Sequence, residues 1–262
     1  MLADVRNTLS LSWSLFGRTI GAKYRRSFLG YFWMVAPALV VSAGACVAYD
    51  SGLLRPGDTT LPYALFVFIG TLLWQTFAET ATLAHQAIEG ARSYLTRVQF
   101  PREAIILAQA CEAFFVTCVR VFVALLFMAL TGTLSLSSAG TLLFCAFLAA
   151  LLGLGISMIT MPFTILFSDL HQTIKLILSY GIFLTPAMYL PAGDGLFALV
   201  VRNNPISPLM QVARDVAAGV AISTPTEFYV VIAVSIFVTC LGIALVRIST
   251  PIIVERMLIG GR

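Results

Sequence analysis

Between Val121 and Ser168 the chain carries no charged side chain. A hydrocarbon core about 30 Å thick is crossed by a helix of roughly 20 predominantly apolar residues. The uncharged stretch is therefore too long for one crossing and must turn back on itself. The run TGTLSLSSAG at 131–140 supplies turn-forming residues for that reversal. Composition points the same way. Soluble domains carry about 25% charged residues, whereas this chain of 262 residues has 11%, with 59% hydrophobic residues and a mean hydropathy of +0.95. The sequence predicts an all-α integral membrane protein.

Apolar runs of crossing length predict six transmembrane helices, at 27–49, 61–86, 104–130, 141–167, 174–190 and 228–246. The first run comes late and exceeds the usual apolar core of a signal peptide, so it is expected to be retained as the first span. Six crossings put both termini on one side. With that side inside, cytoplasmic segments hold Arg6, Arg18, Lys23, Arg25, Arg26, Arg92, Arg97, Arg102, Lys175, Arg247, Arg256 and Arg262, or 12 of the 16 cations. External segments hold Arg55, Arg202 and Arg214, and Arg120 is embedded. The positive-inside rule then predicts a multi-pass protein with both termini cytoplasmic.

Three segments do not read as crossings. At 2–20, Val5, Leu9, Trp13, Phe16 and Ile20 recur on one helical face, with Arg6, Ser10, Ser14 and Arg18 on another, predicting an amphipathic helix in the cytoplasmic interface. At 89–98, Tyr94, Leu95 and Val98 share one side of a short helix flanked by Arg92 and Arg97. Pro101 suits the first turn of the next helix, and Glu103 complements its N-terminal dipole. Exposed apolar groups there fit either docking of a soluble partner or a loop lying on the membrane. The linker at 191–222 is too apolar for an exposed loop and predicts a re-entrant helical hairpin between spans five and six. In its second helix Ser207 is the expected N-cap, Pro208 the first residue and Gly219 the stop. The hairpin reads as an outer gate over a pathway, with Pro186, Pro191, Pro205 and Arg214 as its candidate residues, or as a passive cap.

Several chemistries find no support. Five cysteines lie in apolar runs without a C-x-x-C, and the two histidines, His85 and His171, have no metal-ligand spacing, so no metal site is expected. No G-x-S-x-G or H-E-x-x-H occurs, and no Walker A is possible because Gly-Lys never occurs, so no catalytic residue is expected on this chain. The net charge of +4 is scattered rather than striped, against nucleic-acid binding. Glu79, Glu112 and Arg120 fall inside spans two and three. A lone charge at mid-membrane costs about 2.5–3.5 kcal/mol on insertion scales. These three should face protein or water, either as an interhelical ion pair or as a proton relay. The second role would make the chain an ion- or proton-coupled carrier.

Four patterns carry a resemblance: KYRRSFLGYFWMVAPAL from residue 23, LLWQTFAET from 72, RVQFPREAIILAQ from 97, and SDLHQTIKLILSYGIFLTPAMYLP from 168 with NNPISPLMQVARD from 203. Their order and spacing resemble the membrane subunit of ABC type-2 exporters of polysaccharides, the group that moves O-antigen, capsule and teichoic acid. The resemblance covers nearly the whole chain as a single transmembrane domain. It departs at Ser168, where the family often has an Arg before the Asp. It implies a homodimer around one conduit in the bacterial cytoplasmic (inner) membrane and two copies of a separate ABC ATPase subunit, with ATP and Mg on that partner and no cofactor here. The substrate would be a lipid-linked glycan; an ABC type-2 exporter of a small lipid or drug is the alternative. The coupling element would comprise Arg92, Tyr94, Leu95, Arg97, Phe100, Pro101, Arg102 and Glu103. Lys23, Arg25 and Arg26 would meet an anionic head group. Tyr31, Phe32, Trp33, Trp74, Tyr180, Phe183 and Tyr189 are candidates to line the glycan path, since flat aromatic faces suit a sliding polymer; an aromatic belt is the simpler reading.

Overall fold

The computed structural model describes residues 10–17, 21, 30–53, 57, 59–90, 102–190 and 195–259. Every regular element among these is helical. In chain order they are α1 (10–17), a 3-10 turn Gly30–Met34, α2 (Ala36–Asp50), α3 (Tyr63–Thr80), α4 (Leu83–Gly90), α5 (Arg102–Leu130), α6 (Leu136–Leu166) and α7 (Ser168–Tyr180). A second 3-10 turn, Gly181–Leu184, precedes α8 (Leu196–Arg202), α9 (Ser207–Ala218) and α10 (Pro225–Ile259). Among the described residues three helical stretches are long and apolar enough to cross a membrane: Ile106–Leu130, Leu136–Leu166 and Pro225–Ser249.

The helix α6 is the hub. It packs along α10 and α3 and also meets α4, α5 and α9. Close approach depends on glycine. A Cβ at Gly155 would stand 2.8 Å from Thr239 N, and one at Gly242 would stand 2.8 Å from Gly155 O. Thr239 adds a hydrogen bond from its hydroxyl to Leu151 O at 3.1 Å. Gly153 does the same job toward α3, where a Cβ would stand 2.5 Å from Phe77 O. α3 is enclosed by α2, α5, α6 and α9, so its side chains from Leu65 to Trp74 are all buried.

Several predicted boundaries are corrected. The reversal expected at 131–140 is confined to 131–135, because Ser135 caps α6 instead of breaking it. The Ser135 hydroxyl accepts from Ser138 N at 3.0 Å, and the Ser138 hydroxyl accepts from Ser135 N at 2.8 Å. Span two, read as continuous over 61–86, breaks at Ala81 and Thr82. An amide freed near the start of α4, that of Ala84, donates to the Ser157 hydroxyl of α6 at 2.7 Å, so the break leaves it satisfied. Among the described residues the α-helix of span one begins at Ala36, with Pro37 in its first turn, after the 3-10 turn Gly30–Met34; residue 27 lies outside them. Span five, read over 174–190, is helix Ser168–Tyr180 followed by a 3-10 turn and irregular chain. A Cβ at Gly181 would strike the Trp74 ring at 2.6 Å, so the chain turns there against α3. The last helix extends well past both predicted ends, 228 and 246.

The described part of the N-terminal helix turns Ser12, Leu15 and Phe16 toward the bundle. Phe16 meets the Phe115 ring of α5, and Leu15 joins the cluster of Ala84, Ile106 and Met161. Trp13, assigned to the apolar face from the sequence, is exposed. Val5, Leu9 and Ile20 lie outside the described residues. In the 191–222 region α8 and α9 form a short helical pair. Ser207 begins α9 but does not cap it; its hydroxyl donates to Val201 O at 2.5 Å and so fastens α9 to α8. Gly219 ends α9 in the left-handed conformation, φ +71.

Candidate functional site

The fold brings two of the three intramembrane charges into contact. Arg120 of α5 is buried, and its Nη2 pairs with Glu79 Oε1 of α3. Its Nε donates to Met34 O at 2.8 Å. One guanidinium thus joins α5, α3 and the 3-10 turn ahead of α2. The pairing is uneven, with the Arg120 side chain 2% exposed and that of Glu79 54% exposed. The carboxylate faces a groove of about 440 Å³ between α3 and α5. The α5 wall is built from Gln109, Glu112, Ala113, Val116, Thr117 and Arg120, positions three and four apart on one helical face. The α3–α4 wall supplies Thr76, Glu79, Thr80, Thr82 and Gln86, and Trp33 stands at the rim. Glu112 is buried in the α5 wall.

On the other side of α3 lies a second groove of about 330 Å³, bounded by Pro37 of α2, Gln75 and Glu79 of α3, and Lys175 of α7. Trp74 also lines it. Its indole N–H donates to Leu178 O at 3.2 Å, which ties α7 to α3. Glu79 borders both grooves.

Arg214 of α9 is enclosed rather than placed at an open mouth. Its Nε and Nη2 donate to Phe66 O at 3.1 and 2.8 Å, Nη1 to Pro186 O at 2.6 Å, and Nη2 also to Ala187 O at 2.8 Å. Its guanidinium carbon lies 3.5 Å from the Phe66 ring centroid. Gly70 makes room for it, because a Cβ there would stand 2.7 Å from Ala187 O and collide with the guanidinium. Pro186 thus enters the arrangement through its carbonyl, whereas Pro205 is exposed in the turn between α8 and α9. Pro191 lies outside the described residues.

Of the aromatic candidates, Phe32, Trp33, Tyr180 and Phe183 are exposed. Phe32 and Trp33 meet edge to face with centroids 6.5 Å apart. Tyr189 is half-buried, donates its hydroxyl to Phe183 O at 2.5 Å and stacks on Phe197. Lys23, Arg25, Arg26, Arg92, Tyr94, Leu95, Arg97, Phe100 and Pro101 lie outside the described residues, as do the side chains of Tyr31, Arg102 and Glu103.

Two features escaped the sequence reading. His85 of α4 and His171 of α7 stack with ring centroids 3.7 Å apart, and His85 Nδ1 lies 3.0 Å from Thr164 Oγ1. Their separation along the chain hid this pair. The uncharged members of the polar groove, Thr76, Gln86 and Gln109, were also missed, although Thr76 and Gln109 stand three residues before Glu79 and Glu112 on the same helical faces.

No protein-family model matches the chain. Curated relatives do. An O-antigen export system permease protein RfbA of Klebsiella pneumoniae is 26% identical over 203 residues, covering 76% of each chain. A second Klebsiella pneumoniae protein of that name is 25% identical over the same share of each chain. One from Myxococcus xanthus is 32% identical over 93 residues, 35% of this chain and 34% of that one. Helices of crossing length and a sequence likeness spread over three quarters of the chain agree: this chain is similar to permease proteins of O-antigen export systems.

Proposed function

We propose that the chain is the transmembrane subunit of an ATP-driven exporter that carries a lipid-linked polysaccharide from the cytoplasm across the cytoplasmic membrane. The observation that carries this reading is its likeness to O-antigen export permeases over 76% of both chains. In this reading two copies of the chain enclose the conduit. Two copies of an ABC ATPase, holding ATP and Mg, dock from the cytoplasm on the segment 89–103. Six crossings are made by α2, α3, α5, α6, α7 with its following turn, and α10. The helices α8 and α9 form the re-entrant hairpin on the outer side. As helices alone, α2 with 15 residues and α7 with 13 are short of the roughly 20 needed; the adjoining 3-10 turns lengthen both.

The geometry fits this division of labour. Arg214 anchors the hairpin to α3 and holds the outer frame while the cytoplasmic half responds to nucleotide. The exposed rings of Phe32, Trp33, Tyr180 and Phe183 offer flat faces to sugars without a fixed hydrogen-bond register. Pairing with Arg120 engages Glu79 in structure, which favours the ion-pair role over a proton relay.

The test is genetic and biochemical. Deleting the gene should abolish surface polysaccharide while lipid-linked polymer accumulates inside. Restoration should require both this chain and a partner ATPase with an intact nucleotide site. Transport by the purified chain alone, driven by an ion gradient in liposomes, would overturn the proposal.

A further inference from the structure

We propose that the groove between α3 and α5 is a binding site for the hydroxyl groups of a sugar ring, with Thr76 and Gln109 as hydrogen-bonding partners and Trp33 as the stacking face. This inference rests on the polysaccharide reading and names a place where the glycan is held.

The first observation is an orphaned hydroxyl. Of the three threonines in α3, two return their hydroxyl hydrogen to the carbonyl one turn back: Thr71 to Val67 O and Thr80 to Thr76 O, both at 2.9 Å. Thr76 does not. It is 1% exposed, lines the groove, and its Oγ1 finds no hydrogen-bond partner among the described residues. A buried hydroxyl without a partner is costly and is rarely retained in a well-packed helix. Rotation about its χ1 would bring this hydroxyl to the groove that Thr76 lines, where a ligand hydroxyl would satisfy it.

The second observation is the sense of the remaining groups. Thr117 gives its hydrogen to Ala113 O and keeps its oxygen lone pairs for an incoming donor, whereas Thr82 already accepts from Gln86 Nε2 at 3.0 Å and Thr80 Oγ1 packs against Gly153. Glu79 adds a half-exposed carboxylate. Such a wall accepts hydrogen bonds and suits a ligand rich in O–H donors. The third observation is Trp33. The bond from Arg120 Nε to Met34 O holds the backbone of the 3-10 turn beside the groove, and the exposed Trp33 indole on that turn offers an apolar face for the C–H side of a pyranose. At about 440 Å³ the space falls in the range of small-molecule sites, roughly 300–1,000 Å³.

The test uses the permease with its ATPase partner in lipid nanodiscs, with Cys46, Cys111, Cys118, Cys145 and Cys240 replaced by Ala and a single reporter, Gln86→Cys, at an exposed position of the same lining. The probe is an oligosaccharide released by mild acid from the host's own exported polymer. We expect the oligosaccharide to slow maleimide labelling of the reporter but not of a control at Leu136→Cys, a fully accessible position. Thr76→Val should weaken the protecting affinity about tenfold, as expected for loss of one buried hydrogen bond. Thr76→Ser should keep it, and Trp33→Ala should abolish it. Unchanged labelling in a complex that still exports polymer would overturn the site and leave the exporter reading standing. Protection by choline or potassium but not by the oligosaccharide would replace the sugar with a cation and equally overturn it. Absence of any polymer whose export depends on this chain would remove both readings together.

Discussion

Two buried arginines on opposite sides of the central helix α3 are satisfied in different ways. Arg120 gives one hydrogen bond to a carbonyl and pairs with a carboxylate that is itself half exposed, beside an open groove. Arg214 gives all four of its hydrogen bonds to backbone carbonyls, covers the Phe66 ring and presses on Gly70, leaving no space around it. A carboxylate on a rotatable side chain can exchange one partner for another. A carbonyl in a packed turn cannot. The Arg120 region is therefore built to admit something between helices, whereas the Arg214 region is built to keep α9, α3 and the 186–187 turn as one piece.

That contrast breaks first at Arg214. In Arg214→Met the carbonyls of Phe66, Pro186 and Ala187 lose their donor. Each unsatisfied group costs roughly 1–3 kcal/mol, so the loss over three carbonyls should be at least about 3 kcal/mol. The expected outcome is a collapse of membrane-inserted protein and of the thermal transition in detergent. Arg214→Lys should not rescue it, because one ammonium cannot span three carbonyls as the planar fork does. Gly70→Ala attacks the same lock from the other side. The new methyl must displace the guanidinium or Ala187 O, an overpacking strain of about 1–3 kcal/mol. Its thermal transition should fall by less than that of Arg214→Met, and a value equal to wild type would show that the 186–187 turn yields to an added methyl group.

How much of this was legible without coordinates follows from the range of the contacts. The apolar runs at 104–130 and 141–167 announce helices, and Gly219 announces a helix end, because these depend on local composition and backbone freedom. Glu79, Glu112 and Arg120 were legible as charges needing partners, but which carboxylate Arg120 takes depends on how α3 and α5 pack. The break after Thr80 depends on Ser157, which stands far along the chain and supplies the acceptor for Ala84 N. Ser207 looked like a cap from its neighbours, yet Val201 O lies within reach and takes its hydroxyl instead. Thr76 looked like any helical threonine. Only the absence of its usual bond back along the helix, within a groove, marks it.

At the Arg120 region smaller effects are expected, and their asymmetry sharpens the comparison. Arg120→Met removes the donor to Met34 O and a fully packed side chain, so a loss of about 1–2 kcal/mol is expected in thermal denaturation. Glu79→Gln keeps an acceptor for Arg120, and the carboxylate it replaces is already half in contact with solvent. Its cost should stay below about 1 kcal/mol, as for exposed ion pairs. The two changes combined should cost hardly more than Arg120→Met alone, because the coupling between them is the only term removed twice. If instead Glu79→Gln proved as damaging as Arg214→Met, the carboxylate would be holding the helices together as rigidly as the carbonyl cage does. The distinction between a region that admits a ligand and one that braces the fold would then be lost.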